Sequence, residues 1–371
     1  MVFDLSTVGT VTAALLAAAI VSLITTPVVR TLAIRIGAVD VPKDGRRMHN
    51  HPIPRMGGLA IFFGFLLSTL VFLPLTRPLR GMLMGAVIIV ILGIFDDIYA
   101  LGAKLKLVVQ ICAALIAVLM GNEITLLSNP NIFSSNPFWE LGWLAIPVSV
   151  VWIVGITNAV NLIDGLDGLA CGVSTISSMT LLVIALTVAE PSIAILTAAL
   201  AGGCLGFLPY NLNPAKIFMG DTGSTFLGFV LAVVSIQGLF KLYAIMSFAV
   251  PFLVLALPIF DTCFAILRRV SHGQSPMTPD RGHLHHRLID MGFSQKQAVA
   301  VLYVISAILG LSAVVLATTG VVKAMLFLLA LCLCGALAGK VFLDHAQATR
   351  GKDSPIGGND NFFGEEDRSE K

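Results

Sequence analysis

Apolar stretches recur along the whole of this 371-residue chain, each close to the roughly 20 residues that a helix needs to cross a bilayer's hydrocarbon core. Eleven such runs fall at about residues 8–29, 57–75, 82–95, 105–120, 141–158, 169–189, 192–208, 225–240, 243–264, 298–318 and 321–342. Composition agrees: 57% of the residues are hydrophobic and only 12% charged, with a mean hydropathy of +0.92, far from the balance of a soluble domain. The fold expected is an all-α polytopic membrane protein with about eleven transmembrane helices. The first run follows only Asp4, with no basic residue before it, and is longer than a signal-peptide core, so it reads as a span.

The placement of Lys and Arg sets the orientation. With the N-terminus outside, 19 of the 23 basic residues fall on inner segments and 4, Arg77, Arg80, Lys241 and Lys323, on outer ones. The C-terminus is then cytoplasmic. The net charge of +2 hides this asymmetry and gives no reason to expect nucleic acid. Residues 1–350 read as one multi-span domain, and 351–371, rich in Gly, Asp and Glu, as a disordered cytoplasmic tail. All six cysteines lie in or beside apolar runs without metal-ligand spacing and are expected as small buried hydrophobes.

The inward segments also collect nearly every unusual carboxylate, amide and histidine, which predicts a single site on that face. In GIFDDIYALGAKLK, Asp96 and Asp97 end the third span and Lys104 and Lys106 begin the fourth. Adjacent carboxylates repel, so the pair suits a divalent cation or proton transfer, or else a solvated acidic turn. In TNAVNLIDGLDGLACG, Asn158, Asn161, Asp164 and Asp167 recur at every third residue, as on one slowly rotating helical face. Such groups at a membrane boundary need a metal, a ligand or water, unless they serve as helix caps.

In PYNLNPAKIFMGDTGSTF, Pro209, Asn211, Asn213 and Pro214 break the chain, and residues 220–224 enter a helix whose N–H groups would face an anion. Asp221 there reads as a ligand or as an N-cap, and Phe218 as a stacking surface for a flat base or an interfacial aromatic. A later loop crowds Arg268, Arg269, His272, Arg281, His283, His285, His286 and Arg287 together. No thiolate or Glu sits at a zinc spacing, so this mixture fits phosphate, or attraction to anionic lipid. The first inner loop adds Arg46, Arg47, His49 and Arg55. Asp261, near the inner end of the ninth span, needs an interior partner, for which Arg268 and Arg269 two turns on are the candidates. Acidic loops beside basic loops at a membrane edge imply phosphoryl transfer from a nucleotide-activated donor to a lipid acceptor.

The motifs PRMGG (Pro54 to Gly58), FDD (Phe95 to Asp97), NLIDGLDGLA (Asn161 to Ala170), NLNPAKIFMGDTGS (Asn211 to Ser224), PIFDT (Pro258 to Thr262) and HLHHRL (His283 to Leu288) follow one another along the chain. In that order and over most of its length the chain resembles the polyprenyl-phosphate N-acetylhexosamine-1-phosphate transferases. It is more similar to the WecA and TagO branch than to the MraY branch, whose histidine run ends in Phe-Glu and whose first loop is Lys-Lys-rich where this chain has RRMHNHPIPR. The resemblance implies transfer of a sugar 1-phosphate, most often GlcNAc 1-phosphate, from its UDP donor to undecaprenyl phosphate with release of UMP. That is the first membrane step of O-antigen, common-antigen or teichoic-acid assembly, on the cytoplasmic face of the bacterial inner membrane.

The resemblance further implies Mg2+, with Mn2+ able to substitute, held by Asp221 and Asp97. It places Asp96, Asp97, Asp164, Asp167, His283, His285 and His286 in a catalytic set. Substrate contacts are implied for Asn161, Asn211, Phe218, Arg281, Arg287, Arg46 and His49, with Asn211 and Phe218 on the uridine side. Expected partners are the UDP-sugar, the polyprenyl phosphate, membrane lipids and a second copy of the chain. Phospho-MurNAc-pentapeptide transfer is the nearest alternative. Ion-coupled transport is a remoter one, because a transporter would hold its ionisable groups near the bilayer midplane rather than at one face.

Overall fold

The computed structural model describes residues 5–41, 52–128, 138–188, 190–240, 249–274 and 282–319, together with 323 and 327. The chain divides into two compact units, Met1–Ala324 and Met325–Lys371, and all but one of the described residues belong to the first. Apart from residues 323 and 327, the eleventh expected span, with Cys332 and Cys334, and the expected tail lie outside the described residues.

Helices dominate: α1 (Leu5–Arg35), α2 (Gly58–Phe72), α3 (Arg77–Tyr99), α4 (Ala103–Leu119), α5 (Ala145–Leu162), α6 (Leu169–Thr187), α7 (Pro191–Asn211), α8 (Gly220–Ser235), α9 (Ala249–Val254), α10 (Ala256–Ser271), α11 (Leu284–Asp290) and α12 (Gln295–Thr319). Two antiparallel strand pairs, absent from the sequence expectation, interrupt them: β1 (Val39–Asp40) with β2 (Ile53–Pro54), and β3 (Leu126–Ser128) with β4 (Phe138–Glu140). Both are too short to be read from alternation. Six helices among the described residues are long and apolar enough to cross a membrane, namely α1, α3, α6, α7, α12 and the helix ending at Leu162. The chain is a multi-pass helical membrane protein.

Helix α1 shows how the bundle sorts its faces. Leu16, Ile20, Ile24 and Val28, four apart, are all more than half exposed, as befits a face turned to lipid, while Ala14, Ala18 and Ala33 are fully buried. Small inward residues let backbones approach closely, which is how helices associate where lipid removes the hydrophobic advantage of large ones. Further in, the fully buried rings of Phe65, Phe207, Phe226 and Phe229 fill the core; Phe226 meets Phe62 and Phe65 edge to face. Of the cysteines, Cys171 and Cys204 are buried as expected, but Cys112 and Cys263 are exposed on outer helix faces. An outer face in lipid is apolar too, so a thiol is as well accommodated there as in the core.

Two spans end differently from expectation. The ninth is split into α9 and α10, because Pro258 has no N–H to offer the Val254 carbonyl one turn back. Ser177 Oγ of α6 donates to that carbonyl at 2.9 Å instead, so the break leaves it paired. The fifth stops at Leu162, so Asn158 and Asn161 ride on α5 while Asp164 and Asp167 sit in the turn before α6. The four residues therefore do not share one helical face. Helix α7, conversely, runs through Pro209 to Asn211.

Candidate active site

Helices α3, α4, α5 and α8 bring their carboxylates and amides together at one end of the bundle. Asp96 and Asp97, adjacent on α3, point to different partners, since successive helical side chains diverge by about 100°. Asp97 is buried and acts on α8: its Oδ1 accepts from the N–H of Asp221 at 2.9 Å, and its Oδ2 from the N–H of Thr222 at 3.1 Å and the Thr222 hydroxyl at 2.7 Å. The N-terminus of α8, expected to face an anion, is thus occupied by a carboxylate of the protein itself. Both Asp97 oxygens are committed to capping.

Asp96 faces the other way. Its Oδ1 accepts from Leu101 N–H at 2.7 Å, closing the turn after α3. Its Oδ2 lies 2.9 Å from Lys106 Nζ, which lies 3.0 Å from Asp221 Oδ2. Lys106 thus holds the Asp96 and Asp221 carboxylates close together. Asn161 donates to Ser224 Oγ at 2.8 Å, which places its amide beside the Asp221 carboxylate. One turn up α5, Asn158 donates to the buried Gln110 of α4 at 2.7 Å. Lys106 received no role at the level of sequence and Gln110 was not singled out at all; the i, i+10 step from Asp96 to Lys106 crosses a helix–turn–helix and has no periodic signature.

Backbone docking closes the site from the PRMGG side. Phe218 N–H donates to Pro54 O at 2.8 Å, and Gly57 and Gly58 N–H donate to Phe218 O and Met219 O, both at 2.9 Å. A Cβ on Gly58 would overlap Gly223 Cα, so glycine is required for this approach. Phe218 is half-buried at this junction.

Asp164 and Asp167 occupy the α5–α6 turn. Burial raises the Asp164 pKa to about 8, helped by the negative charges of Asp221, Asp97 and Asp167 and opposed by Arg55. Arg55 itself pairs with Asp40 at 2.9 Å. Asp167 Oδ2 accepts from Asn213 Nδ2 at 2.9 Å and from Ala215 N–H at 3.0 Å, which ties the turn to the segment after α7. With Leu212, Asn213, Lys296, Val299, Ala300 and Tyr303 it lines a cavity of about 300 Å³. Asn211 is buried and donates to Ile217 O at 3.1 Å, holding the same segment.

The histidines arrive from α11. Neither Arg268 nor Arg269, the expected partners, pairs with Asp261: seven or eight residues along α10 are about 10–12 Å of rise. Asp261 instead takes His283 Nδ1 at 2.8 Å and Leu284 N–H at 2.7 Å, while Arg268 donates to Gly282 O at 2.8 Å. The His283 and His285 rings stack at 5.8 Å, and His285 and His286 lie 4.3 Å apart. A Cβ on Gly165 would overlap His285 Nε2, so the histidines rest on the turn that carries Asp164. Burial, then the neighbouring His286, lowers the His285 pKa to about 4. Arg287 is exposed on α11. Arg46, His49 and Arg281 lie outside the described residues.

No three carboxylate, imidazole or thiolate groups among the described residues form a ready-made ligand set for a metal. The donors nonetheless fit Mg2+, which is commonly held by one or two carboxylates with substrate phosphates completing the shell. Asp96 and Asp221 are two such hard oxygen donors, and the Lys106 ammonium between them already marks a place for positive charge.

The pattern that defines glycosyl transferase family 4 matches residues 79–239, from α3 to the end of the eighth span. A probable undecaprenyl-phosphate N-acetylglucosaminyl 1-phosphate transferase of Bacillus subtilis is 47% identical over 295 residues, 79% of this chain and 81% of that protein. A decaprenyl-phosphate N-acetylglucosaminephosphotransferase of Mycolicibacterium smegmatis is 37% identical over 78% of this chain and 77% of its own length. An undecaprenyl-phosphate alpha-N-acetylglucosaminyl 1-phosphate transferase of Escherichia coli K12 is 29% identical over 76% and 77%. The chain belongs to glycosyl transferase family 4.

Proposed function

We propose that the protein transfers GlcNAc 1-phosphate from UDP-GlcNAc to undecaprenyl phosphate, giving a lipid-linked pyrophosphoryl sugar and UMP. The observation that carries this reading is the meeting of Asp96, Lys106 and Asp221 from three helices beside the Asp164 turn, in a chain 47% identical to the Bacillus relative. The site faces the cytoplasm of a bacterial inner membrane, the N-terminus lies outside, and the eleven apolar runs span the bilayer. The 19-to-4 bias of Lys and Arg supports that orientation.

In the reaction an oxygen of the lipid phosphate bonds to the phosphorus that carries the sugar, and the P–O bond to UMP breaks, its electron pair leaving with UMP. Asp221 would hold Mg2+, or Mn2+ in its place; Asp97, expected as the second ligand, has both oxygens taken by the α8 N–H groups and the Thr222 hydroxyl, so Asp96, which shares Lys106 with Asp221, would stand in that position instead. The bound ion would screen the pyrophosphate and stabilise the leaving phosphate. Asn161 orients Asp221 through its amide, and Asp97 fixes the first turn of α8 so that Asp221 is presented. Asp96 receives the proton of the lipid phosphate or steers that group by charge. His285, kept neutral by burial, and His283 and His286 flank the donor phosphates or sugar, with Arg287 at the rim. Asp167, Asn211 and Phe218 shape the uridine side.

Purified protein with undecaprenyl phosphate and Mg2+, offered UDP-GlcNAc and UDP-MurNAc-pentapeptide separately, tests the reading by the mass of the lipid product. A GlcNAc-pyrophosphoryl lipid, lost on chelation, is expected. Product from the pentapeptide donor alone would assign the protein to peptidoglycan synthesis instead.

A further inference from the structure

The acidic cluster accounts for five carboxylates, Asp96, Asp97, Asp164, Asp167 and Asp221, but Asp261 is tied to other partners. It sits on α10 and is 3% exposed, among the most buried charges of the described chain. Its two oxygens are used differently. Oδ1 accepts the N–H of Leu284, the first residue of α11, and Oδ2 faces His283 Nδ1 at 2.8 Å. His283 is 5% and His285 3% exposed. A helix cap alone needs one acceptor, which Ser, Thr or Asn supplies as well as Asp does. The second oxygen has a separate purpose. An ionised carboxylate can only accept, so the ring nitrogen facing it must carry the proton.

We infer that Asp261 is the positioning residue of the histidine cluster: it fixes His283 with Nδ1 as donor, leaves Nε2 as the ring atom free to meet substrate, and sets the start of α11 so that His285 lands on Gly165. The second anchor supports this. Arg268, two turns further along α10 and on the same face, holds the Gly282 carbonyl immediately before His283. One helix face thus grips the motif by an N–H, a ring nitrogen and a carbonyl. The parallel stacking of His283 on His285, at 7° between rings, passes the constraint on to the Asp164 turn. A carboxylate behind a functional imidazole sets its tautomer and its direction, and losing it commonly costs activity without loss of fold.

The claim that this pairing serves transfer rests on the function proposed above; the pairing itself does not. Full-length protein labelled with 15N-histidine in lipid nanodiscs reports each ring's protonation, and His283→Gln identifies the His283 signals by their absence. Wild-type His283 should carry its proton at Nδ1. In Asp261→Asn that pattern should give way to Nε2 protonation, with the other histidines unchanged, and kcat/KM for UDP-GlcNAc should fall about 10-fold or more. Asp261→Glu should restore part of both. A bare Nδ1 on wild-type His283 overturns the pairing without any variant, even if Asp261→Asn fails to fold. A changed spectrum with unchanged kcat/KM overturns the role in transfer. Wild-type protein with Nδ1 protonated but no transfer of GlcNAc 1-phosphate refutes the proposed function and leaves the pairing standing.

Discussion

At the residue scale, neighbouring aspartates do separate work. Asp97 spends both oxygens on α8, so Asp97→Asn replaces an acceptor with an amide N–H facing other N–H groups. Leaving such buried donors unmatched costs about 1–3 kcal/mol, so this variant should lose thermal stability along with activity. A melting curve in detergent that matches wild type would contradict the capping role. Asp164 predicts a pH effect in the chelated protein. Its folded pKa of about 8 lies above the ordinary value of 3.8, so the folded state holds a proton that the unfolded state has lost. Stability from this group is therefore present at low pH and lost as pH rises towards 8. His285, lowered to about 4 from 6.5, acts only below about pH 6.5, where falling pH destabilises. Between pH 6.5 and 8 the apparent Tm should fall, and Asp164→Asn should flatten that fall; equal slopes in both proteins would refute the assignment.

At the element scale, the site depends on helix ends that meet by backbone. Gly58 of α2 lies against Gly223 of α8, and its N–H holds Met219 O. Gly58→Ala should force the two helices apart at a cost of about 1–3 kcal/mol, read as a lowered Tm together with reduced turnover. Retention of both would show that the junction yields easily. The motifs themselves were legible: PRMGG, FDD, the DGLDG turn and HLHH stand out as polar or glycine-rich islands in apolar sequence. Their pairing was not. That Asp97 caps α8, that Lys106 bridges Asp96 to Asp221, and that Asp261 takes His283 are contacts across 10 to 125 residues, and no periodicity encodes them. The break at Leu255 was equally hidden, because Pro258 reads as a kink only when the Val254 carbonyl finds Ser177.

At the scale of the whole molecule, apolar length and the positive-inside bias point to a helical membrane protein, and the runs at 57–75, 105–120 and 225–240 appear as the 15-, 17- and 16-residue helices α2, α4 and α8, while the short strand pairs escape any reading by span length. The proposed topology puts Glu140 outside and Met291 inside, both exposed. In a background without the exposed Cys112 and Cys263, Glu140→Cys should react with a membrane-impermeant maleimide on intact cells and Met291→Cys only after permeabilisation. The reverse pattern would invert the protein. The central claim is that Asp221 holds the cation through which the donor pyrophosphate is handled. UMP release from UDP-GlcNAc and undecaprenyl phosphate, measured against Mg2+ concentration for wild type and Asp221→Asn, tests it most directly. Saturable, chelator-sensitive release by wild type and loss of release by a variant whose Tm is preserved are expected; a variant that follows the wild-type Mg2+ curve would contradict the claim.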